Sequence, residues 1–282
     1  MNTFGAPPRK RGETRVIALV NQKGGVGKST TAVNLGAALA MLGKRVLVID
    51  DDPQGNTTTG FGVEKAGTAP STYEVLMRQA AIEAALRATE VERLDLVPAT
   101  INLAGAEIEL VSELSRETRL RDALQGVADR YEYVLIDSPP SLGLLTINAL
   151  VAATEAVIPV QAEFYALEGL SQLTRVVNRV REALNPPLHV SGVLVTMYDG
   201  RTRLAVEVLD ELGRFFPQQM FKTQIPRNIR LSEAPSYGKP VMLFDPKSRG
   251  AQAYMALARE MLENEAHTGR SPEATSEVGG SA

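Results

Sequence analysis

The stretch KGGVGKST, residues 23–30, follows the apolar run VIALV at 16–20 and precedes a run of helix-forming residues. Glycine-rich loops let backbone N–H groups surround a phosphate, and the N-terminus of the following helix favours negative charge. Lys28 adds a positive charge, and the Ser29 hydroxyl can ligate magnesium. The order strand, glycine-rich loop, helix therefore predicts a phosphate-binding loop and, with it, a nucleotide site.

The start of this loop departs from the usual pattern G-x-x-x-x-G-K-[ST]. Aligned on the GKS at 27–29, that pattern places a glycine at position 22, where this chain has Gln22 followed by Lys23. Lys23 can be a solvated loop residue, or it can act on bound phosphates. The loop by itself leaves both interpretations open.

Two later apolar runs end in acidic residues. VLVIDDDPQGN covers 46–56 and YVLIDSPPS covers 133–141, and each places a carboxylate where its strand should end. In an open parallel sheet, ligands bind at the carboxyl edge of the strands. We therefore expect four side chains to meet near one metal-bound triphosphate: Ser29, Asp50, Asp52 and Asp137.

Short β-branched runs alternate with longer helical patterns along the chain, which favours βαβ units. Strands are predicted near 16–21, 45–50, 94–98, 132–137, 155–160, 190–196 and 219–225. The clearest helices are predicted at 28–42, 115–130, 166–184, 203–213 and 250–264. The predicted fold class is α/β, with a single doubly wound, mostly parallel sheet that carries helices on both faces.

One domain is expected over residues 15–264. The chain has 282 residues and is 44% hydrophobic, which is enough for one sizeable core. Both ends are rich in Pro, Gly, Ser and other polar residues. We therefore predict a flexible N-terminal tail at 1–14 and a disordered C-terminal tail at 265–282.

Composition excludes several classes of protein. With 0 Cys and 2 His, disulfides and iron–sulfur clusters are excluded, and a zinc site of the Cys/His type is not expected. No apolar run is long enough to span a bilayer, and residues 1–14 lack the apolar core of a signal peptide. We therefore expect a cytoplasmic protein without membrane attachment.

The phosphate loop and the two aspartate-ended strands together resemble the deviant phosphate-loop ATPases, and in particular the ParA/Soj family of chromosome and plasmid partition proteins. The similarity runs from about Arg15 to about Leu262. TMYDGRTRLA at 196–205 and IPRNIRLSEAPSYGKPV at 225–241 resemble that family more than its relatives. The resemblance implies a P-loop NTPase fold and hydrolysis of ATP to ADP and phosphate with Mg²⁺.

The resemblance also implies roles for the site residues. Lys28 would hold the β and γ phosphates, and Asp52 would orient the attacking water. Ser29 would ligate magnesium directly, and Asp137 would hold the ion through a water molecule. Asp50 would support these ligands from the next layer of the metal site. The family positions that surround the phosphates match Gly24, Gly25, Val26, Gly27, Lys28, Ser29 and Thr30. The family positions near the adenine match Pro226, Arg227 and Asn228. The alternative interpretation of these three residues is a simple turn that follows a strand.

By the same resemblance, the partners are a second copy of the chain, DNA and a ParB-type centromere-binding protein. Lys23 would reach across an ATP-dependent homodimer to the phosphates of the other subunit, which makes it a catalytic residue together with Lys28 and Asp52. Members bind double-stranded DNA non-specifically and associate with the nucleoid.

A basic segment favours the DNA interpretation. From Arg201 to Arg249 the chain carries nine basic and five acidic residues, although its overall formal charge is −3. Non-specific binding needs only a basic surface that faces the phosphate backbone, although a solvated face is the alternative. By resemblance, Arg201 and Arg230 contact DNA, and Lys247 and Arg249 extend that surface. The fourteen residues before the first strand are too few for a helix-turn-helix, so base readout is not expected.

Other functions of the same superfamily need features that this sequence lacks. A MinD-like membrane-associated division regulator needs a basic amphipathic C-terminal helix, whereas AYMALAREMLENEA carries one Arg and three Glu. A metal-cluster carrier needs cysteines, and a tyrosine autokinase needs a tyrosine-rich tail. A metabolic ligase would not explain the basic segment. Asp51 completes an acidic triplet where an uncharged middle residue is common, and the direction of its effect on magnesium stays open.

Overall fold

Parallel strands form the centre of the molecule. The computed structural model describes residues 13–163 and 166–268. Within those ranges the strands are β1 (Arg15–Leu19), β2 (Val46–Asp50), β3 (Arg87–Ala88), β4 (Leu94–Val97), β5 (Tyr133–Asp137), β6 (Glu155–Gln161) and β7 (His189–Thr196). They form one sheet in the order β3-β4-β2-β5-β1-β6-β7, in which only the β3–β4 pair is antiparallel. Continuous apolar runs such as that of β1 are typical of strands buried on both faces.

Helices cover both faces of this sheet. In the described residues they are α1 (Lys28–Met41), α2 (Asn56–Gly60), α3 (Thr72–Leu76), α4 (Ile82–Ala85), α5 (Leu103–Glu109), α6 (Arg119–Leu124), α7 (Leu144–Ala152), α8 (Ala166–Ala183), α9 (Arg203–Phe215), α10 (Ile229–Glu233), α11 (Val241–Phe244) and α12 (Arg249–Thr268), with 3-10 turns at Leu110–Ser112, Ala128–Arg130 and Ala234–Tyr237. One apolar core joins the sheet to α5, α6, α7, α8 and α9, and a second joins it to α1, α11 and α12. The predicted doubly wound α/β fold is confirmed.

The strand order brings three carboxyl ends together. β1 lies between β5 and β6, with β2 and β4 on the β5 side and β7 on the β6 side. Such a change of direction in strand order is where α/β sheets bind ligands. Leu19 at the end of β1 and Asp50 at the end of β2 both pair with Asp137. The phosphate loop, which follows β1, therefore lies beside both acidic strand ends.

The strand predicted at 219–225 is wrong. Within the described residues, two isolated bridges join this part of the chain to the β7 side: Val193 to Met220 and Tyr198 to Pro226. Between the bridges, the amides of Lys222 and Thr223 donate to the carboxylate of Glu260 on α12, at 2.7 and 2.9 Å. Because these amides bond to a helix side chain, a continuous ladder with β7 does not form.

The helix predicted at 115–130 is interrupted. Ser115 has a φ of 54°, which a right-handed helix does not allow, and the regular helix covers only Arg119–Leu124. The last helix runs to Thr268, beyond its predicted end at residue 264. The tails predicted at 1–14 and 265–282 fall mainly on 1–12 and 269–282, which lie outside the described residues.

Candidate functional site

The phosphate loop, residues 23–30, connects β1 to α1. Gly25 and Gly27 have φ values of 75° and 91°, in the left-handed region that favours glycine. The hydroxyl of Thr196, at the end of β7, donates a hydrogen bond of 2.7 Å to the carbonyl of Val26. α1 begins at Lys28 without a side-chain cap, so no capping side chain competes with an anion for its first N–H groups.

A cleft of about 660 Å³, called here the nucleotide cleft, opens beside this loop. Its volume is in the range of small-molecule sites. The predicted site residues that line it are Gly24, Gly25, Gly27, Lys28, Ser29, Thr30, Asp52, Pro226, Arg227 and Asn228. Three others are buried and do not line it: Val26, Asp50 and Asp137. The phosphate loop, Asp52 after β2 and residues 226–228 thus all line the same cleft.

Lys28 is buried and weakly bonded. Its ammonium lies 3.5 Å from the carbonyl oxygen of Lys23, the limit of a hydrogen bond. Burial lowers the pKa of Lys28, and the negative charges of Asp137 and Asp52 oppose that shift. An ammonium with so long a contact to a carbonyl can bond more strongly to a phosphate oxygen.

Asp137, at the end of β5, has one unpaired carboxylate oxygen. The hydroxyl of Thr57 donates to its Oδ2 at 2.7 Å, whereas its buried Oδ1 has no hydrogen-bond partner among the described residues. Burial raises the pKa of Asp137, and the hydroxyls of Ser29 and Thr57 lower it. An unpaired carboxylate oxygen near a serine hydroxyl fits magnesium, which prefers oxygen ligands.

The protein side of this site does not form a complete metal cage. In the part of the chain that the structure describes, no group of three or more His, Cys, Asp or Glu side chains could hold a metal ion. Magnesium in nucleotide sites usually takes one or two carboxylates, several waters and phosphate oxygens. The residues present therefore fit a magnesium ion that binds together with a nucleotide.

Asp50 anchors the loop that follows β2. Its Oδ2 accepts hydrogen bonds from the amide and the hydroxyl of Thr58, at 2.7 and 2.6 Å. Its Oδ1 accepts from the amide of Asp52 at 3.2 Å. Burial raises the pKa of Asp50, and repulsion by the Asp137 carboxylate raises it further. The three hydrogen bonds to Asp50 hold segment 52–58 against the sheet.

Asp52 stands at the wall of the nucleotide cleft. Its Oδ1 accepts a hydrogen bond of 2.9 Å from the amide of Gln54, which closes a short turn. Its own amide donates a hydrogen bond to Oδ1 of Asp50. Two bonds at one residue thus fix a carboxylate beside the space where phosphates would bind.

Asp51 lies between these two residues but is fully buried. Neither of its carboxylate oxygens has a hydrogen-bond partner among the described residues. Burial raises the pKa of Asp51 well above its usual range, and repulsion by Asp50, Asp137, Asp52 and Glu107 adds to the rise. The folded protein therefore favours the neutral form of Asp51 more than solvent does, which opposes the extra negative charge that the acidic triplet indicates.

Replacing Asp51 with asparagine is expected to stabilise the nucleotide-free protein. The folded state holds the Asp51 proton more tightly than the unfolded chain does, so ionisation costs stability as pH rises from about 4. We expect Asp51→Asn to raise Tm by about 2–4 °C at about pH 7.5. The gain should be smaller at about pH 5, because protonating an ionised carboxylate on folding costs less free energy as pH falls toward its unfolded-state pKa of about 4.

Calorimetry in the presence of a chelator measures this effect. The control is Asp129→Asn at an exposed position, which should leave Tm unchanged. A lower Tm for Asp51→Asn at the higher pH would contradict the interpretation of Asp51 as a buried neutral acid.

Lys23 lies outside the nucleotide cleft. Its ammonium forms an ion pair with the carboxylate of Glu163, and both side chains are about half exposed. It borders a second cleft of about 340 Å³, beside Gln22 and the start of α8. In the single chain, therefore, Lys23 is paired with a carboxylate instead of lining the space for phosphates. Exposed ion pairs of this kind stabilise a fold little, so Lys23 can exchange the Glu163 carboxylate for another anion.

Residues 225–230 connect the cleft to the surface. The amide of Tyr198 donates a hydrogen bond of 2.9 Å to the carbonyl of Ile225, and the amide of Arg227 donates one of 3.2 Å to the carbonyl of Tyr198. The side chain of Asn228 accepts a hydrogen bond of 3.0 Å from the amide of Arg230 and thereby caps α10. One short segment thus lines the cleft with its first residues and carries Arg230 on its exposed side.

The predicted DNA-contacting residues are exposed, and two of them are paired with carboxylates. Arg201 pairs with Asp199 at 2.6 Å. Arg230 pairs at 2.7 Å with Glu233 and at 3.2 Å with Asp245. The other two candidates are exposed and form no ion pair with a described residue: Lys247 and Arg249. The Arg230–Asp245 pair places α10 next to the segment that carries these two residues.

Several contacts of the site are absent from the sequence prediction. Thr57 and Thr58 bond to Asp137 and Asp50, and the run of three threonines just after the acidic triplet is the signal that could have revealed them. Thr196 comes from the distant strand β7, and Tyr254 lines the cleft from α12. No local pattern marks these two residues, because only the tertiary fold brings them to the loop.

Comparisons with known proteins agree with this geometry. A family model described as an AAA domain matches residues 14–190. The sporulation initiation inhibitor protein Soj of Bacillus subtilis (strain 168) is 57% identical over 250 residues, which cover 89% of this chain and 99% of Soj. The chromosome partitioning protein ParA of Myxococcus xanthus (strain DK1622) is 49% identical over 276 residues, which cover 96% and 97%.

A solved structure gives the same result for the fold. The cobyrinic acid a,c-diamide synthase of Mycobacterium smegmatis, with bound ADP and magnesium, matches with 38% identity and a TM-score of 0.80, over 91% of this chain and 97% of that one. The family model covers more than half of this chain, and both relatives are matched over nearly their whole length. The chain therefore belongs to the ParA/Soj family of chromosome-partitioning ATPases.

Proposed function

We propose that this ATPase dimerises when it binds ATP, that the dimer binds DNA non-specifically, and that it segregates chromosomes or plasmids with a ParB-type partner. The observation that carries the proposal is the position of segment 225–230, which lines the nucleotide cleft and also presents Arg230 at the surface. Nucleotide occupancy and a DNA-contacting surface thus share one segment. In this proposal residues 15–264 are the ATPase domain, and the protein works in the cytoplasm on the nucleoid.

The nucleotide cleft has the groups that a triphosphate needs. The loop amides at 24–27 and the first turn of α1 bind phosphate oxygens, and Lys28 neutralises charge on the β and γ phosphates. Ser29 and Asp137 hold magnesium, which, when bound, offsets the charge on the terminal phosphates. The segment 226–228 borders the adenine. This assignment accounts for the unpaired oxygen of Asp137 and for the weakly bonded ammonium of Lys28.

Asp52 is the group that acts on the attacking water. Hydrolysis requires a water in line with the bond that breaks, and a positioned carboxylate can orient that water and accept its proton. Asp52, two residues beyond β2, is the one of these three carboxylates that lines the cleft, whereas Asp50 and Asp137 are fully buried and do not line it.

Lys23 connects two subunits. In the proposed dimer it leaves Glu163 and contacts the phosphates bound by the other copy, where the negative charge is larger than that of one carboxylate. ATP then stabilises the dimer by binding it in preference to the monomer, and hydrolysis removes that stabilisation. The exposure of the Lys23–Glu163 pair supports this exchange, since little stability is lost when it breaks.

DNA binding follows from the basic residues around α10. Arg201, Arg230, Lys247 and Arg249 would each contact a backbone phosphate in place of a carboxylate or water. A two-fold dimer carries this surface twice, so both halves can bind one duplex and the second contact is gained at high effective concentration. Affinity for DNA is thereby linked to ATP.

Arg230→Ala is the variant that tests the DNA surface. Loss of one phosphate contact in each subunit should weaken binding to an arbitrary duplex by about tenfold or more and reduce the salt slope by about 2. ATP-dependent dimerisation should be retained, because Arg230 is exposed and does not line the nucleotide cleft. The measurement is fluorescence anisotropy with ATP and with ADP, across a series of salt concentrations.

Arg130→Ala is the matched control, since Arg130 is exposed and lies just before β5, at the amino ends of the parallel strands. It should bind DNA as the unmodified protein does. Full DNA affinity in Arg230→Ala would remove Arg230 from the proposed surface. If the unmodified protein bound no DNA with either nucleotide, the proposal as a whole would be wrong.

A MinD-like, membrane-associated function is the alternative. Among the described helices, none combines the length and the apolarity needed to cross a bilayer. A helix that lies on anionic lipid needs basic residues, whereas the described end of α12 carries Arg259 against Glu260, Glu263 and Glu265. Sedimentation with anionic liposomes and ATP distinguishes the two functions, because the alternative predicts protein in the pellet.

A further inference from the structure

Thr57 lies in the first turn of α2, and its hydroxyl is used differently from that of its neighbour Thr59. The Thr59 side chain is exposed, and its hydroxyl donates a hydrogen bond of 3.1 Å to the carbonyl of Gly55 at the start of the helix. Such a bond to the preceding turn is a common one for a helical threonine. Thr57 is fully buried, and its hydroxyl instead donates to Asp137, which is 80 positions away along the chain. The fold thus directs this hydroxyl to a carboxylate of the site.

This hydrogen bond makes the two carboxylate oxygens of Asp137 unequal. Oδ2 accepts the hydroxyl of Thr57 at 2.7 Å, whereas the buried Oδ1 has no hydrogen-bond partner among the described residues. Short hydrogen bonds from a hydroxyl to a carboxylate oxygen are among the strong ones in proteins. The last torsion of an aspartate is otherwise broad, so a strong bond to one oxygen restricts its rotation. Oδ1 is therefore the oxygen that remains for a ligand.

The next residue extends this connection to the end of β2. The amide and the hydroxyl of Thr58 donate to Asp50, at 2.7 and 2.6 Å, and the Thr58 hydroxyl accepts a hydrogen bond of 2.9 Å from the amide of Ala99. Thr57 and Thr58 thus attach the first turn of α2 to the ends of both acidic strands. Because α2 follows Asp52 closely, these bonds also restrict the segment that carries Asp52.

We propose that Thr57 is a positioning residue for magnesium. Its hydroxyl holds the Asp137 carboxylate so that Oδ1 stays available to a water molecule of the metal. Thr57 itself does not line the nucleotide cleft, so it acts through Asp137. Hydrogen-bond partners of metal-binding groups commonly contribute about 10–100-fold to metal affinity. The inference rests on the assignment of Asp137 to magnesium in the proposed function.

A purely structural role for Thr57 is the alternative. A buried carboxylate needs a hydrogen-bond partner whether or not a metal binds, so loss of the hydroxyl lowers the stability of the fold in either case. The two roles differ in their effect on magnesium. If the hydroxyl only satisfies a buried acid, the contribution of magnesium to nucleotide affinity does not depend on it in a folded variant.

ADP binding with and without magnesium separates the two roles. Titration calorimetry gives the Kd for ADP in excess Mg²⁺ and in EDTA, and the ratio of the two measures the contribution of the metal. With ADP, neither hydrolysis nor the proposed ATP-dependent dimer enters the measurement. Thr57→Val removes the hydroxyl and should weaken ADP binding in Mg²⁺ by about tenfold. In EDTA its affinity should stay within about twofold of that of the unmodified protein.

Three further variants serve as controls. Thr57→Ser keeps the hydroxyl and should bind ADP as the unmodified protein does in both conditions. Thr57→Cys has a weaker donor and should lose affinity in Mg²⁺ in the same direction as Thr57→Val, so it tests the proposal if the valine variant does not fold. Thr174→Val should have no effect, because the Thr174 hydroxyl bonds within α8 to the carbonyl of Leu170, at 2.8 Å. Melting curves without nucleotide show that each variant is folded.

Asp137→Asn is the reference for the metal and should also lose ADP affinity in Mg²⁺. If Asp137→Asn loses this affinity and Thr57→Val keeps it, Thr57 is only structural and the inference alone is wrong. If Asp137→Asn keeps normal affinity in Mg²⁺, Asp137 does not act on the metal, and its assignment in the proposed function is wrong together with the inference. Equal losses of Thr57→Val in Mg²⁺ and in EDTA would also contradict the proposal, because the whole nucleotide site would then be disturbed.

Discussion

Asp52→Ala is expected to stop ATP hydrolysis while ATP still binds. A carboxylate that orients or deprotonates water contributes about 10²–10⁴-fold to a rate, so turnover should fall by about 100-fold or more. The residues proposed to bind the phosphates, Lys28 and the loop amides, are unchanged, so ATP affinity should change by less than about tenfold. Phosphate release measures turnover, and equilibrium dialysis with labelled ATP measures binding.

The control for this variant is Asp129→Ala, at an exposed position before β5. It should hydrolyse ATP at the normal rate. If Asp52→Ala did so as well, Asp52 would not be the group that acts on water, and the bond from Gln54 would have only a structural role. If ATP binding were lost together with hydrolysis, Asp52 would belong to the binding site.

Lys28→Ala is expected to abolish useful ATP binding. Lys28 is buried at the start of α1, and among the residues that the structure describes its ammonium donates one long hydrogen bond, to the carbonyl of Lys23. A hydrogen bond to a charged group contributes about 1.5–3 kcal/mol, so affinity should fall by about 100-fold. Hydrolysis, dimerisation and DNA binding should then fall together, because each follows ATP binding. Titration calorimetry with ATP and Mg²⁺ measures the loss.

Lys44→Ala is the matched control, because Lys44 lies just before β2, at the amino ends of the parallel strands, and pairs with Glu132 at 3.0 Å. Its ATP affinity should equal that of the unmodified protein. Normal ATP affinity in Lys28→Ala would show that the loop amides suffice and that the lysine has another role.

The centre of the fold could be predicted from the sequence because its signals are local. The apolar run 16–20, the glycine-rich loop and the helix after it occur in one continuous stretch, so periodicity identifies all three. Each acidic strand end is likewise marked by its own apolar run. Parallel pairing then aligns Asp50 with Asp137, as the carboxyl-edge rule leads one to expect.

The sequence predicts structure wrongly or incompletely where contacts between distant residues override the local pattern. Residues 219–225 have the apolar composition of a strand, but Glu260 on α12 takes the amides of Lys222 and Thr223. The burial of Asp51 depends on which way one side chain of an acidic triplet turns, and no spacing rule determines that. The pair of Lys23 with Glu163 joins residues 140 positions apart and appears only in the folded chain.

The central claim is that ATP joins two copies of this chain through Lys23, and light scattering of the Asp52→Ala variant tests it most directly. With ATP and Mg²⁺ the mass is predicted to be twice the 30.4 kDa of one chain, and with ADP it is predicted to be that of one chain. Lys23→Ala in the same background should bind ATP but keep the mass of one chain. A single-chain mass for Asp52→Ala with bound ATP, or a dimer that survives Lys23→Ala, would contradict the account.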